Sequence, residues 1–216
     1  MRRFHLIHLL LSSLLVSLFL SCSPVRGYQL KGSKVVTGQD LEPVIPKTQA
    51  LLYKARIHLY NRRFSGLILL KQLSPDLSHL TFVTEIGMKM FDFEIRNNTL
   101  QLVYIFEPLN KPGIIRLLED DMKLLLLQHI LNKEAQVFEK NDKKIFKRKD
   151  DLRYYYLLQP DTSAISRILK KGTLFTKVKV NYLYQGDPLS AERIRLRHKG
   201  LIRLKIELTK LNRSES

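Results

Sequence analysis

Cys22 is the one thiol in the 216 residues, and it follows Leu20 and Ser21 at the end of an apolar run. A lone cysteine cannot close an intramolecular disulfide or build a multi-cysteine metal site, so its chemistry is that of a single nucleophilic sulfur. Beyond the first 21 residues the histidines are His58, His79, His129 and His198, scattered without metal-ligand spacing. No nucleophile elbow, phosphate-binding glycine loop or dinucleotide fingerprint occurs, and no nucleophile–base pair can be named, so the chain is not expected to be an enzyme and no metal or cofactor is implied. Glu119, Asp120 and Asp121 form an acidic run, with Glu119 and Asp120 read as the wet side of a helix and Asp121 as a cap or a lysine's partner. Tyr154, Tyr155 and Tyr156 beside Arg153 suggest a stacking platform. A strand would send those rings to alternate faces, and core plus rim is the plainer reading.

The charge sets the class of partner. The 37 Lys and Arg against 20 Asp and Glu leave +17 at neutral pH, which favours anionic partners without choosing between nucleic acid and lipid. A 44% hydrophobic and 26% charged composition is that of a folded protein of one moderate domain.

The N-terminus narrows the choice. Arg2 and Arg3 precede Leu6 to Leu20, an apolar run broken only by His8, Ser12, Ser13 and Ser17. As a helix it would reach about 22 Å, short of the roughly 30 Å hydrocarbon core, so it reads as a secretory signal of residues 1–21. Leu20-Ser21-Cys22 resembles the lipobox of bacterial lipoproteins, in which the cysteine thiol receives a diacylglyceryl group and its new N-terminus an acyl group such as palmitate. The alternative is a cysteine that merely lies near an ordinary cleavage site. A free thiol has little use in an oxidising compartment, whereas lipidation gives it one. Removing residues 1–21 takes away Arg2 and Arg3 and no acid, which turns +17 into +15. Export makes nucleic acid a poor partner.

Residues 22–48, with Gly27, Gly32, Gly38, Pro43 and Pro46, read as the lipidated cysteine and a flexible tether. Residues 49–211 read as one β domain and 212–216 as a polar tail. The dominant signal from residue 50 is period two: Tyr53, Ala55, Ile57 and Leu59 alternate with Lys54, Arg56, His58 and Tyr60. Similar files run through Leu80, Phe82 and Ile86, through Phe91, Phe93 and Ile95, and through Leu100, Leu102, Tyr104 and Phe106. Hairpin turns are expected at residues 96–99, 141–142 and 199–200. Residues 112–131 carry a helical apolar pattern, and Asp161-Thr162 followed by Gly172 brackets a second, short helix over 163–171. The sum is a mainly β, α+β fold: about eleven strands in an antiparallel, strongly bent sheet or unclosed barrel, with two or three helices over its apolar concave face. Arg193, Arg195, Arg197, Arg203 and Lys205 fall on the opposite face and form a basic surface expected to meet membrane headgroups; a solvated face over an ordinary core is the plainer reading of the same alternation.

Residues 63–70 (RFSGLILL) and 80–87 (LTFVTEIG), followed by the files at 91–95 and 100–106 and by Asp121-Met122-Lys123-Leu124-Leu125, resemble the opening elements of LolB-like outer-membrane lipoproteins, in the LolA/LolB superfamily. The resemblance implies an eleven-stranded unclosed barrel plugged by helices, an outer-membrane lipid anchor facing the periplasm, and a cavity that takes acyl chains of lipoproteins or related amphiphiles from a LolA-like carrier. The chain is expected to be a monomer. Ile86 before Gly87 matches the apolar residue exposed by the receptor members, so Ile86 and Met88 are the implied membrane-insertion loop. The candidate cavity residues are Ile57, Leu59, Phe82, Phe91, Phe93, Leu102, Tyr104, Met122, Leu125, Val178 and Leu204. A structural or assembly lipoprotein, its barrel filled by its own side chains, is the alternative function.

Overall fold

A computed structural model describes residues 23–42, 50–74, 76–97, 99–173, 175–185, 191–199 and 203–211. Cys22, the signal segment and the polar tail lie outside the described residues. Thirteen strands occur among them: β1 (Gln29–Val35), β2 (Leu51–Leu59), β3 (Arg62–Ser74), β4 (Leu77–Thr84), β5 (Lys89–Arg96), β6 (Thr99–Ile105), β7 (Glu134–Lys140), β8 (Lys143–Lys149), β9 (Arg153–Leu158), β10 (Ile165–Lys171), β11 (Thr176–Leu183), β12 (Arg193–His198) and β13 (Leu204–Lys210). All belong to one antiparallel sheet in the order β1-β7-β8-β9-β10-β11-β12-β13-β2-β3-β4-β5-β6. The edges β1 and β6 do not pair, so the sheet is unclosed. One α-helix, α1 (Pro112–Leu125), follows β6 after a single 3-10 turn, Glu107–Leu109.

Alternation produces the curvature's two faces. Along β2, Leu51, Tyr53, Ala55, Ile57 and Leu59 are buried while Lys54 and Arg56 are exposed. The same alternation recurs in β11, β12 and β13, whose Val178, Val180, Ile194, Leu196, Leu204, Ile206 and Leu208 join one core. The expected turns at Asn97 and Asn141 have the left-handed backbone that asparagine tolerates, with φ of 49° and 52°. Helix α1 lays Leu118, Met122 and Leu125 against this core and stops where Leu127 turns left-handed at φ 60°.

Four expectations are corrected. The strand count is thirteen rather than about eleven, and one α-helix occurs among the described residues rather than two or three. Residues 29–35, inside the expected tether, form edge strand β1 against β7; every residue of β1 is exposed, so no apolar period marks it, and backbone pairing holds it. Residues 163–171 are not a helix but contain strand β10. Its register on β9 slips between Ile165 and Arg167, leaving Ser166 as an extra residue whose hydroxyl donates to the Leu157 carbonyl at 3.0 Å. That bulge buries Ile165 and Ile168, three apart, on one face and so imitates helical spacing.

Candidate functional site

In an antiparallel meander the turns alternate between the two ends of the sheet. The turns after β2, β4, β8, β10 and β12 therefore share one end with the start of α1, which follows β6. At that end α1 crosses the concave face, and an apolar crevice separates its first half from the sheet. Ile57 and Leu59 from β2, Phe82 from β4, Phe91 from β5 and Leu204 from β13 line one wall. Leu109, Ile114, Leu117 and Leu118 line the other, and Phe64 and Met90 complete the ring. No polar residue takes part. The cavity is about 20 Å³, the space of roughly one water molecule, so the side chains nearly fill it. Phe82 and Phe91 form its floor with ring centroids 5.4 Å apart, and Phe93 follows Phe91 at 5.5 Å.

Five of the sequence-derived cavity residues thus meet in the crevice. Phe93, Met122, Leu125 and Val178 are buried deeper in the same core, and Leu102 packs against it half-buried. Tyr104 is a correction. A bulge at Val103, between the pairs Asp92–Tyr104 and Phe93–Leu102, turns Tyr104 to the convex face, where it is 42% exposed under the Lys89 ammonium. The crevice residues absent from the sequence-derived set are Phe64, Met90, Leu109, Ile114, Leu117 and Leu118. For Ile114, Leu117 and Leu118 the i, i+3, i+4 stripe carried the signal. Met90 had none, because a second bulge, at the β4–β5 pairing between Phe82 and Val83, buries both Met90 and its neighbour Phe91.

The second half of α1 is held by charge. Asp121, wholly buried, accepts from His198 Nε2–H of β12 at 2.8 and 2.9 Å. Burial raises the Asp121 pKa, against the opposing pull of His198. Asp120 pairs with Lys170 of β10 and lies 3.4 Å from His129 Nε2. Burial would raise its pKa too, but His129 and Lys170 outweigh that and hold it at about 2. The expected roles are corrected: Asp120, read as the wet side, has the lysine, and Asp121, read as a cap or a lysine's partner, is buried on a histidine. His129 also stacks on Tyr154 with ring centroids 4.9 Å apart. Tyr154, Tyr155 and Tyr156 are all buried, so none offers a free face.

Of the basic set, Arg193, Arg195, Arg197 and Arg203 are exposed and Lys205 is half-buried, all on the convex side or its adjoining turn. Lys179, Arg197 and Lys205 are direct cross-strand neighbours, about 4.8 Å apart by strand spacing. Glu207 tempers the row with contacts of 2.9 Å to Lys205 and 3.8 Å to Arg195. Ile86 is 86% exposed and Met88 37% exposed at the turn between β4 and β5. No described helix is long and apolar enough to cross a membrane.

No protein-family model and no curated protein sequence matches this chain. Among solved structures it is similar to a LolA superfamily protein from Nitrosomonas europaea, at 6% identity over 82% of this chain and 92% of that one, with a TM-score of 0.47. It is also similar to an outer membrane lipoprotein-sorting protein domain from Vibrio parahaemolyticus, at 7% identity, coverage of 77% and 86%, and a TM-score of 0.39. A DUF1329 family protein from Desulfovibrio piger shares 8% identity over 78% of this chain and 86% of its own, with a TM-score of 0.40.

Proposed function

We propose that this chain is an outer-membrane-anchored, periplasm-facing lipoprotein that binds acyl chains of lipoproteins or related amphiphiles beneath α1 and passes them to a membrane. The supporting observation is the crevice: eleven lining residues, all apolar, where the first half of the helix meets the sheet. Alkyl chains need no directional partner, only apolar area, at about 25 cal/mol per Å² removed from water. In the closed form there is room for little more than one water, so entry requires the first half of α1 to lift. The ion pairs of Asp120 and Asp121 keep its second half in place, which makes the helix a cover hinged at one end. Lipidation at Cys22 supplies the anchor, and Ile86 and Met88, beside the crevice mouth, are the residues that would touch the acceptor bilayer. No covalent step is needed in the transfer.

The decisive experiment is displacement of a fluorescent fatty acid from the protein. Saturable uptake, competed by an unlabelled acyl chain, is the expected result. Its absence would favour the second reading, an assembly lipoprotein that binds another envelope protein, for which the near-filled cavity speaks. Anchorage has a separate test: Cys22→Ala should lose a lipid-sized mass and leave the membrane fraction.

A further inference from the structure

The end of the sheet that carries the crevice mouth also carries exposed apolar side chains on three separate turns. Tyr60 follows β2 and is 58% exposed; Ile86 and Met88 follow β4; Phe175 follows β10 and is 69% exposed. These turns are neighbours. The Tyr60 amide donates to the Arg203 carbonyl at 2.8 Å, the Glu85 amide to the Ser65 carbonyl at 3.2 Å, and the Lys199 amide to the Lys177 carbonyl at 2.8 Å. The rim therefore runs continuously from Phe175 through residues 199 and 203 to Tyr60, and on past β3 to Ile86. Single exposed apolar residues are ordinary; large ones grouped at the turns of one rim call for a partner.

The charge around them is mainly positive. Arg62, Arg63, Lys177, Lys199 and Arg203 are exposed on this rim, and none has an ion pair among the described residues. Glu85 is the acid on these turns; at the same end Asp150, paired with Arg148, and Asp151 follow β8, and Glu107 follows β6. Cations interleaved with protruding apolar tips match an anionic headgroup layer, where ammonium and guanidinium groups meet phosphate while aromatic and aliphatic tips enter the acyl boundary. A nucleic acid fits less well. The rim is a line of separate turns, and two aromatic rings separated by β12 and β13 do not make a stacking track.

We propose that this whole rim, with Tyr60 and Phe175 as well as the 86 turn, docks on an anionic lipid surface. The inference deepens the functional reading by naming the chemistry of the surface at which the crevice would load or unload, and docking itself needs nothing from the crevice.

The test uses the full chain in a Cys22→Ser background, with a polarity-sensitive dye on Ile86→Cys, on Phe175→Cys, or on Leu73→Cys as control. Leu73 is 53% exposed but lies near the far end of β3, away from the rim. With phosphatidylglycerol vesicles the dyes at 86 and 175 should both shift to an apolar environment, and the dye at 73 should not. Phosphatidylcholine or high salt should weaken the shift. Replacing Arg62, Lys199 and Arg203 together by Gln should lower apparent vesicle affinity by on the order of 100-fold. A shift at 86 alone would confine contact to one turn and overturn the rim. So would an equal shift at 73, or RNA competing for the rim more strongly than vesicles do. Fatty-acid displacement in the same variants reads the crevice separately: loss of uptake with the dye shift retained sinks acyl carriage and leaves docking standing.

Discussion

His198 Nε2 lies 2.8 Å from a carboxylate oxygen of Asp121, and through that contact strand β12 grips helix α1 by a side chain with no solvent exposure at all. The two residues are 77 apart in sequence. A buried pair of this kind adds little net stability over an apolar pair, but removing one partner strands the other. His198→Leu should therefore cost about 3–5 kcal/mol in denaturant unfolding. Asp121→Asn, whose amide oxygen still accepts from Nε2–H, should cost about 1 kcal/mol. Equal losses would show that the stranded carboxylate is not the source of the cost.

Asp120 governs an acid-side dependence. Its folded pKa, about 2, lies below the ordinary value of 3.8. A lowered carboxylate contributes stability that is complete above the unfolded pKa and is lost as pH falls from there through the folded one. Stability should thus decline between about pH 4 and 2, and Asp120→Asn should flatten that slope while lowering stability at neutral pH. Chemical unfolding at several pH values reads both. An unchanged slope in the variant would assign the decline to other carboxylates.

Gly66 is buried on β3, paired with Ala55 and Thr84. A Cβ there would sit 2.0 Å from the Val83 carbonyl oxygen, a backbone atom that cannot swing aside. Gly66→Ala should destabilise by about 3 kcal/mol and disturb the β3–β4 ladder. A thermal midpoint within a degree of the parent would contradict this close approach.

The crevice makes its own prediction. Ile114 and Leu117 are only half-buried, so Ile114→Asp and Leu117→Ser should spare the fold. Each should weaken fatty-acid uptake by on the order of tenfold, since about 1.5–3 kcal/mol accompanies burial of such a side chain. Glu107→Gln, on the neighbouring 3-10 turn and outside the lining, should leave uptake as it was. Uptake indifferent to all three would place acyl binding elsewhere.

Strict alternation made β2 and β11 to β13 legible, because each has one wet face, and the asparagine turns at 97 and 141 marked two hairpins. The apolar stripe of residues 114, 118, 122 and 125 likewise marked the helix. Three bulges defeated the same reasoning. At Ser166 an extra residue turned a strand's spacing into a helix's; at Val103 one reversed Tyr104; near Met90 one buried two consecutive residues. A period-two file carries no sign of where it gains a residue, since a bulge depends on the neighbouring strand. Strand β1 escaped notice for the opposite reason, having no buried face to pattern.

By itself, then, the sequence determined the alternating strands, the covering helix and a basic face set against an apolar one, all consequences of local periodicity. The tertiary structure decided what periodicity cannot reach. Through the order of thirteen strands it decided which turns share a rim, and through curvature it decided which apolar residues close on one crevice. Through contacts across 50 and 77 residues it decided that Lys170 and His198 hold the helix. Those relationships depend on long-range pairing, and only the folded chain brings their partners together.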